Sequence, residues 1–179
     1  MTTATTTLPL FPEEPAPTIP PRPRRSDPAV LDAATNRMWG YVRPWLGAAP
    51  GRAAIRAADE CKRDLRECIG SSNGYEFARS LEDRGWEPDA ALVAILDHAQ
   101  EDIAVAHVGA VVAWVQRHGI TTALPPGTRV RATVDGKAIE GTLSAQRSPT
   151  MGYYVVVCDD GDAPAVNAED VTPIDRAAG

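Results

Sequence analysis

The apolar positions of this chain change their period twice. Up to about residue 26 they follow none: Leu8, Leu10, Phe11 and Ile19 stand among Thr, Pro and Glu, and the stretch closes on Pro20-Pro21-Arg22-Pro23-Arg24-Arg25. Proline removes backbone donors and little here can bury surface, so residues 1–26 read as a disordered, Pro-rich tail with polyproline II character. From 27 to 121 the spacing is helical. Asp27-Pro28 marks a helix start, with Val30, Leu31, Ala34 and Met38 on one stripe. Trp39, Tyr41 and Trp45, beside Gly40 and Pro44, read as a corner packed against later helices. Ala54, Ala58, Cys61, Leu65 and Cys68 repeat at helical spacing, and Ile69 to Gly74 ends that helix with residues tolerant of left-handed backbone. A shorter helix carries Tyr75, Phe77, Ala78 and Leu81. Glu87-Pro88-Asp89 opens another, because proline suits a first turn and acids favour its positive end. Gln100-Glu101-Asp102 reads either as a break or as a solvated turn before a helix from Ile103 to His118, stopped at Gly119. Ala, Gly and Val occupy nearly every side of that helix, which predicts the central member of a small bundle.

From Pro125 to about Asp175 the period falls to two. Arg129 to Val134 alternates polar and apolar, and Asp135-Gly136 signals a two-residue hairpin. A second strand follows over Ala138 to Ala145, with Gly141 as a bulge or bend. Tyr153 to Cys158 is a third, and Ala165–Asn167 and Val171–Ile174 supply two short final ones. Five short strands in about fifty residues predict a small closed barrel, since closure removes exposed edges. Val130, Val134, Leu143, Val155 and Val157 are its expected interior.

"GTRVRATVDGKAIEGTL", "GYYVVVCDDGD" and "VNAEDVTPID" resemble an SH3-like or Tudor-like small barrel. In such domains a strand ending at a D-G turn leads into an E-G-x-[ILV] strand, then a Y-x-V-x-x-D-D-G strand and a closing E-D-[VIL]-x-P segment. The resemblance covers less than a third of the chain and implies a fold rather than an activity, because this fold hosts many unrelated roles. The helical segment resembles small accessory proteins of phages and mobile elements. The expected architecture is therefore α+β: tail 1–26, helical bundle domain 27–121, five-stranded SH3-like barrel 125–175.

Composition narrows the function. Apolar residues make up 44% and charged residues 23%, as in a folded protein, and the formal charge of −6 disfavours bulk attraction to phosphate backbones. No basic n-region precedes a continuous apolar core, and Ile103 to Val115 is too short to span a bilayer, so no membrane association is expected. Three cysteines without paired spacing fit free thiols in a reducing cytoplasm.

In the tail, Thr7-Leu8-Pro9-Leu10-Phe11 resembles the peptide by which bacterial polymerases and repair factors dock on the DNA sliding clamp. That peptide runs Gln, Leu, any residue, Leu, Phe; here Leu8, Leu10 and Phe11 match and Thr7 replaces the glutamine. Burying three such side chains contributes roughly 5–8 kcal/mol gross. Ordering the peptide removes much of that, which leaves about micromolar binding. The competing reading has the same residues folding back on the helical domain. Pro17 to Arg22 also fits P-x-x-P-x-R, a polyproline II ligand pattern whose nearest conceivable target is the chain's own barrel; a stiff basic linker is the simpler account.

A second candidate surface is the basic helical face of residues 37–66. Arg52, Arg56, Lys62, Arg63 and Arg66, with Arg37 and Arg43, form a phosphate-binding, hence nucleic-acid-binding, candidate, although Asp59, Glu60, Asp64 and Glu67 interleave as ion-pair partners. For chemistry there are only Cys61, Cys68 and His107. The two cysteines share a helix face as buried thiols, and His98, His107 and His118 lack ligand spacing, so no metal or other cofactor and no catalytic residue is assigned. Asp159, Asp160 and Asp162 lack the frame of a calcium loop and read as a solvated turn. The sequence thus predicts a non-enzymatic adaptor acting through tail and barrel. A nucleic-acid-associated protein is the second reading and a cysteine- or histidine-centred enzyme the third.

Overall fold

Helix starts lie where free backbone N–H groups meet a proline or a side-chain acceptor. In the computed structural model, which describes residues 19–48 and 57–174, Pro28 occupies the first turn of α1 (Pro28–Gly47). Asn73 accepts from Glu76 N at 2.9 Å to open α3 (Gly74–Glu82), and Asp89 accepts from Leu92 N at 2.9 Å to open α4 (Ala90–Leu96). Between α1 and α3, α2 (Ala58–Cys68) carries Asp59 and Glu60 in its first turn and Arg66 in its last, as the helix dipole favours. α5 (Ala99–His118) ends on Gly119 at φ 63°, a left-handed stop that glycine adopts without a Cβ clash.

The helical core joins Val30, Ala34, Met38 and Val42 of α1 to Leu65, Phe77, Leu81, Leu92, Leu96 and Ile103. Trp45 and Trp86 stack at 6.5 Å within it, and their indole N–H groups donate to Asp89 and Asp64, each at 2.9 Å. The expected corner at Gly40 and Pro44 is absent: α1 runs through both. An interior proline costs about 3 kcal/mol, but the large buried side chains Val30, Met38, Val42 and Trp45 on one face are worth roughly 1.5–3 kcal/mol each, so packing outweighs the local break. The break near residue 100 falls earlier, at Asp97-His98, and Glu101 and Asp102 lie in the first turn of α5. Nor is α5 enclosed as a central helix. It packs along α1 on one side, while Val105 and Val108 on another are 43% and 46% exposed.

The remainder is a curled five-stranded antiparallel sheet in the order β4-β3-β2-β1-β5, which makes the fold α+β. Its strands are β1 (Arg129–Val134), β2 (Lys137–Ser148), β3 (Tyr153–Cys158), β4 (Ala165–Asn167) and β5 (Val171–Pro173), with a 3-10 turn, Ala168–Asp170, between the last two. Asp135 and Gly136 take φ of 49° and 77°, the pair of positive values that a tight β1–β2 hairpin needs. Gly141 is not the bulge; the register shift lies between Leu143 and Arg147. At Gly141 a Cβ would stand 2.4 Å from the Val157 carbonyl oxygen, so the glycine permits close strand approach.

The interior consists of Val130, Ala132, Leu143, Tyr154, Val156 and Val166. The expectation for β3 was one residue out of phase: Val155 is half-buried and Val157 45% exposed, and Val134 on β1 is also only half-buried. Tyr154 decides the phase. Its ring fills the interior and its hydroxyl accepts from Leu124 N at 2.9 Å, so the one polar atom on that face has a partner.

Candidate functional site at the seam between helix and sheet

A third, smaller apolar cluster joins the two parts: Val111, Trp114 and Val115 of α5 with Ile120 and Met151. Residues 19–24, which the sequence places in the tail, lie across this seam as a strap without regular secondary structure. Their prolines leave backbone carbonyls but no N–H groups, and α5 supplies donors for them. Trp114 Nε1 donates to Pro20 O at 3.2 Å, and His107 Nε2 lies 3.0 Å from Pro23 O.

Arg22 is the fastening. Its guanidinium carbon sits 5.1 Å from the Trp114 ring centroid, a cation–π contact. Nε and Nη2 donate to the two carboxylate oxygens of Glu169 at 2.8 and 2.7 Å, the fork-on-fork geometry that makes arginine–carboxylate pairs strong. Nη1 and Nη2 also donate to the Met151 and Gly152 carbonyls at 2.7 and 3.0 Å. Only 16% of the Arg22 side chain and 24% of Glu169 remain exposed.

Sheet and helix shape this seat together. Glu169 stands on the 3-10 turn between β4 and β5. Gly152 takes φ 60°, and a Cβ there would meet Val115 Cγ2 at 2.9 Å and Arg22 Nη2 at 3.3 Å. A groove of about 560 Å³ runs beside the strap, lined by Ile19, Pro21, Arg24, Trp114, Asn167 and Asp170. The segment between α5 and β1 is tied down as well, Arg147 Nη1 donating to Thr122 O at 2.7 Å. Chemically the seam offers hydrogen-bond acceptors, a carboxylate and an indole face, which is the recognition of an extended arginine- and proline-bearing segment.

Of the residues singled out from sequence, Leu8, Leu10, Phe11, Arg52 and Arg56 lie outside the described residues. Lys62 and Arg66 are turned toward α1: Lys62 Nζ is 5.8 Å from the Trp39 ring centroid, and Arg66 pairs with Asp32 at 2.5 Å. Arg63 is exposed. The seat of Arg22 escaped sequence reasoning because Trp114, Met151 and Glu169 are far apart in the chain; the one signal was the P-x-x-P-x-R pattern beside a barrel.

Cys61 and Cys68 are buried, and burial pushes the Cys68 thiol upward against the opposing pull of Arg84. Cys158 is half-buried, its thiol raised by desolvation and then by Asp160, Asp162 and Asp159. These shifts run opposite to those of activated thiolates. Under native conditions iodoacetamide is expected to label Cys158 first, increasingly as pH rises, while Cys61 and Cys68 react only after unfolding. Peptide mass spectrometry reads the order, and early modification of Cys68 would contradict it. Among the described residues no three His, Cys, Asp or Glu side chains are grouped to hold a metal ion, and no helix is long and apolar enough to cross a membrane.

Comparison with protein-family models and with curated proteins finds no match.

Proposed function

We propose that the protein is a non-enzymatic cytoplasmic adaptor whose N-terminal residues dock a protein partner while the helical part and an SH3-like barrel form the body. The carrying observation is the strap. Arg22 fastens the chain to both α5 and the sheet through Trp114 and Glu169, which gives the segment before it a fixed root. Phe11 lies eleven positions before Arg22, a reach of at most ~40 Å. Leu8, Leu10 and Phe11 are a cluster of large apolar groups among Thr, Pro and Glu, and a partner groove is what buries them in this reading.

The direct test is capture by tagged full-length protein, wild type against L10A/F11A, with purified bacterial sliding clamp as the first probe and host lysate as the second. The variant is expected to keep its stability within about 0.5 kcal/mol, as for surface changes, and to lose partner capture. Unchanged capture would remove the docking role. A large drop in stability would show instead that these residues pack on their own fold.

A further inference from the structure

We infer that α5 is a self-association face, on which a second copy of the chain crosses antiparallel at Gly109. This rests on α5 alone and is independent of the docking tail.

The row of residues four apart, Glu101, Val105, Gly109, Ala113 and Arg117, is exposed along its whole length. Such rows are the ridges by which helices interlock. This one costs the isolated helix stability, since glycine and β-branched residues are poor helix formers on a face that none of the described residues covers. A Cβ on Gly109 would meet no atom within 4 Å, and Val105 and its neighbour Val108 are 43% and 46% exposed. No Lys, Arg, Asp or Glu interrupts the helix between Asp102 and Arg117. A solvated face carries charges at such positions; a packed face carries these residues.

The ridge also states its partner. It places a larger side chain before Gly109 and a smaller one after it, and it is antisymmetric in charge. Val105 lies four residues before the glycine and Ala113 four after; Glu101 lies eight before and Arg117 eight after, about 12 Å along the axis on either side. A two-fold axis through Gly109 therefore sets Val105 against the partner's small side chain and each acid against the partner's base. Both charges are available: the Glu101 side chain is 75% exposed and meets only the His98 ring, at 3.5 Å, and Arg117 is exposed without an ion pair among the described residues. A parallel arrangement would set like charge against like. Glycine at the crossing lets the two backbones approach closely.

The test is sedimentation equilibrium of the full chain from micromolar to several hundred micromolar at low salt. A reversible monomer–dimer equilibrium is expected. E101R and R117E should each weaken it by about tenfold, by replacing two exposed ion pairs with repulsion. The double variant E101R/R117E should restore it. G109A gives an opposed pair of readouts: a higher melting temperature in dilute solution, because alanine favours the helix, and weaker association, because a Cβ enters the crossing. A monomer at every concentration overturns the proposal, whatever else covers the face. So does association that the single charge reversals leave unchanged, or that the double reversal fails to recover.

Discussion

Arg22→Ala is expected to lower the unfolding free energy by about 2–4 kcal/mol, the range for removing one partner of a largely buried, multiply hydrogen-bonded ion pair. The side chain engages the Glu169 carboxylate, the Met151 and Gly152 carbonyls and the Trp114 ring. The residual exposure of Arg22 and Glu169, 16% and 24%, lets water reclaim part of the loss and keeps the figure below the maximum for a fully buried pair. At roughly 2–4 °C per kcal/mol for a chain of this size, the melting temperature falls by roughly 4–16 °C. Arg22→Lys should recover less than half, since a single ammonium cannot span both carboxylate oxygens and both carbonyls. Glu169→Gln should cost less than Arg22→Ala, because the carbonyls and the indole still hold the guanidinium. Thermal and urea unfolding followed together give the numbers. A change below about 0.5 kcal/mol, the size of an ordinary surface substitution, would mean that the strap is not fastened as described.

Local rules carried most of the fold. Helix starts at Pro28 and Asp89, the stop at Gly119 and the Asp135-Gly136 hairpin each follow from one or two residues and their nearest backbone groups, whereas Asn73, which the sequence places in a helix end, caps the start of α3. What was illegible depends on distant partners. The phase of β3 turned on Leu124 N donating to the Tyr154 hydroxyl thirty residues away. The unbroken α1 turned on a buried face that outweighs Gly40 and Pro44. Arg22 read as a linker charge because its three anchoring elements are more than ninety residues downstream. The exposed ridge of α5 is a related case: the same Ala, Gly and Val pattern serves a core helix and a surface helix awaiting a partner, and composition alone does not separate them.

Gly74 is another residue whose role local rules misassign, and Gly74→Ala is expected to be among the most damaging single-methyl additions in the chain. After Asn73 it reads as a left-handed helix stop, yet its φ is not positive and it is the first residue of α3. It is there for space. A Cβ on Gly74 would stand 2.4 Å from the Val93 carbonyl oxygen, 2.5 Å from Asp97 Oδ1 and 2.6 Å from Asp97 N, all at the end of α4. Two of those three atoms are backbone and cannot rotate away. The methyl group must therefore push α3 and α4 apart, stretching the 2.6 Å bond from Gly74 N to Asp97 Oδ1 and loosening Phe77, Leu81, Leu92 and Leu96 behind it. Overpacking of this kind costs about 1–3 kcal/mol and occasionally more, and backbone contacts this close place Gly74→Ala at about 3 kcal/mol or above. The second variant separates the causes. Asp97→Ala removes one of the three contacts together with the hydrogen bond, so alone it should cost about 1–2 kcal/mol. Added to Gly74→Ala it should rescue little, because Val93 O and Asp97 N remain in place. Near-complete rescue by Asp97→Ala, or a Gly74→Ala protein as stable as wild type in urea, would show that the two helices are not in backbone contact at this point.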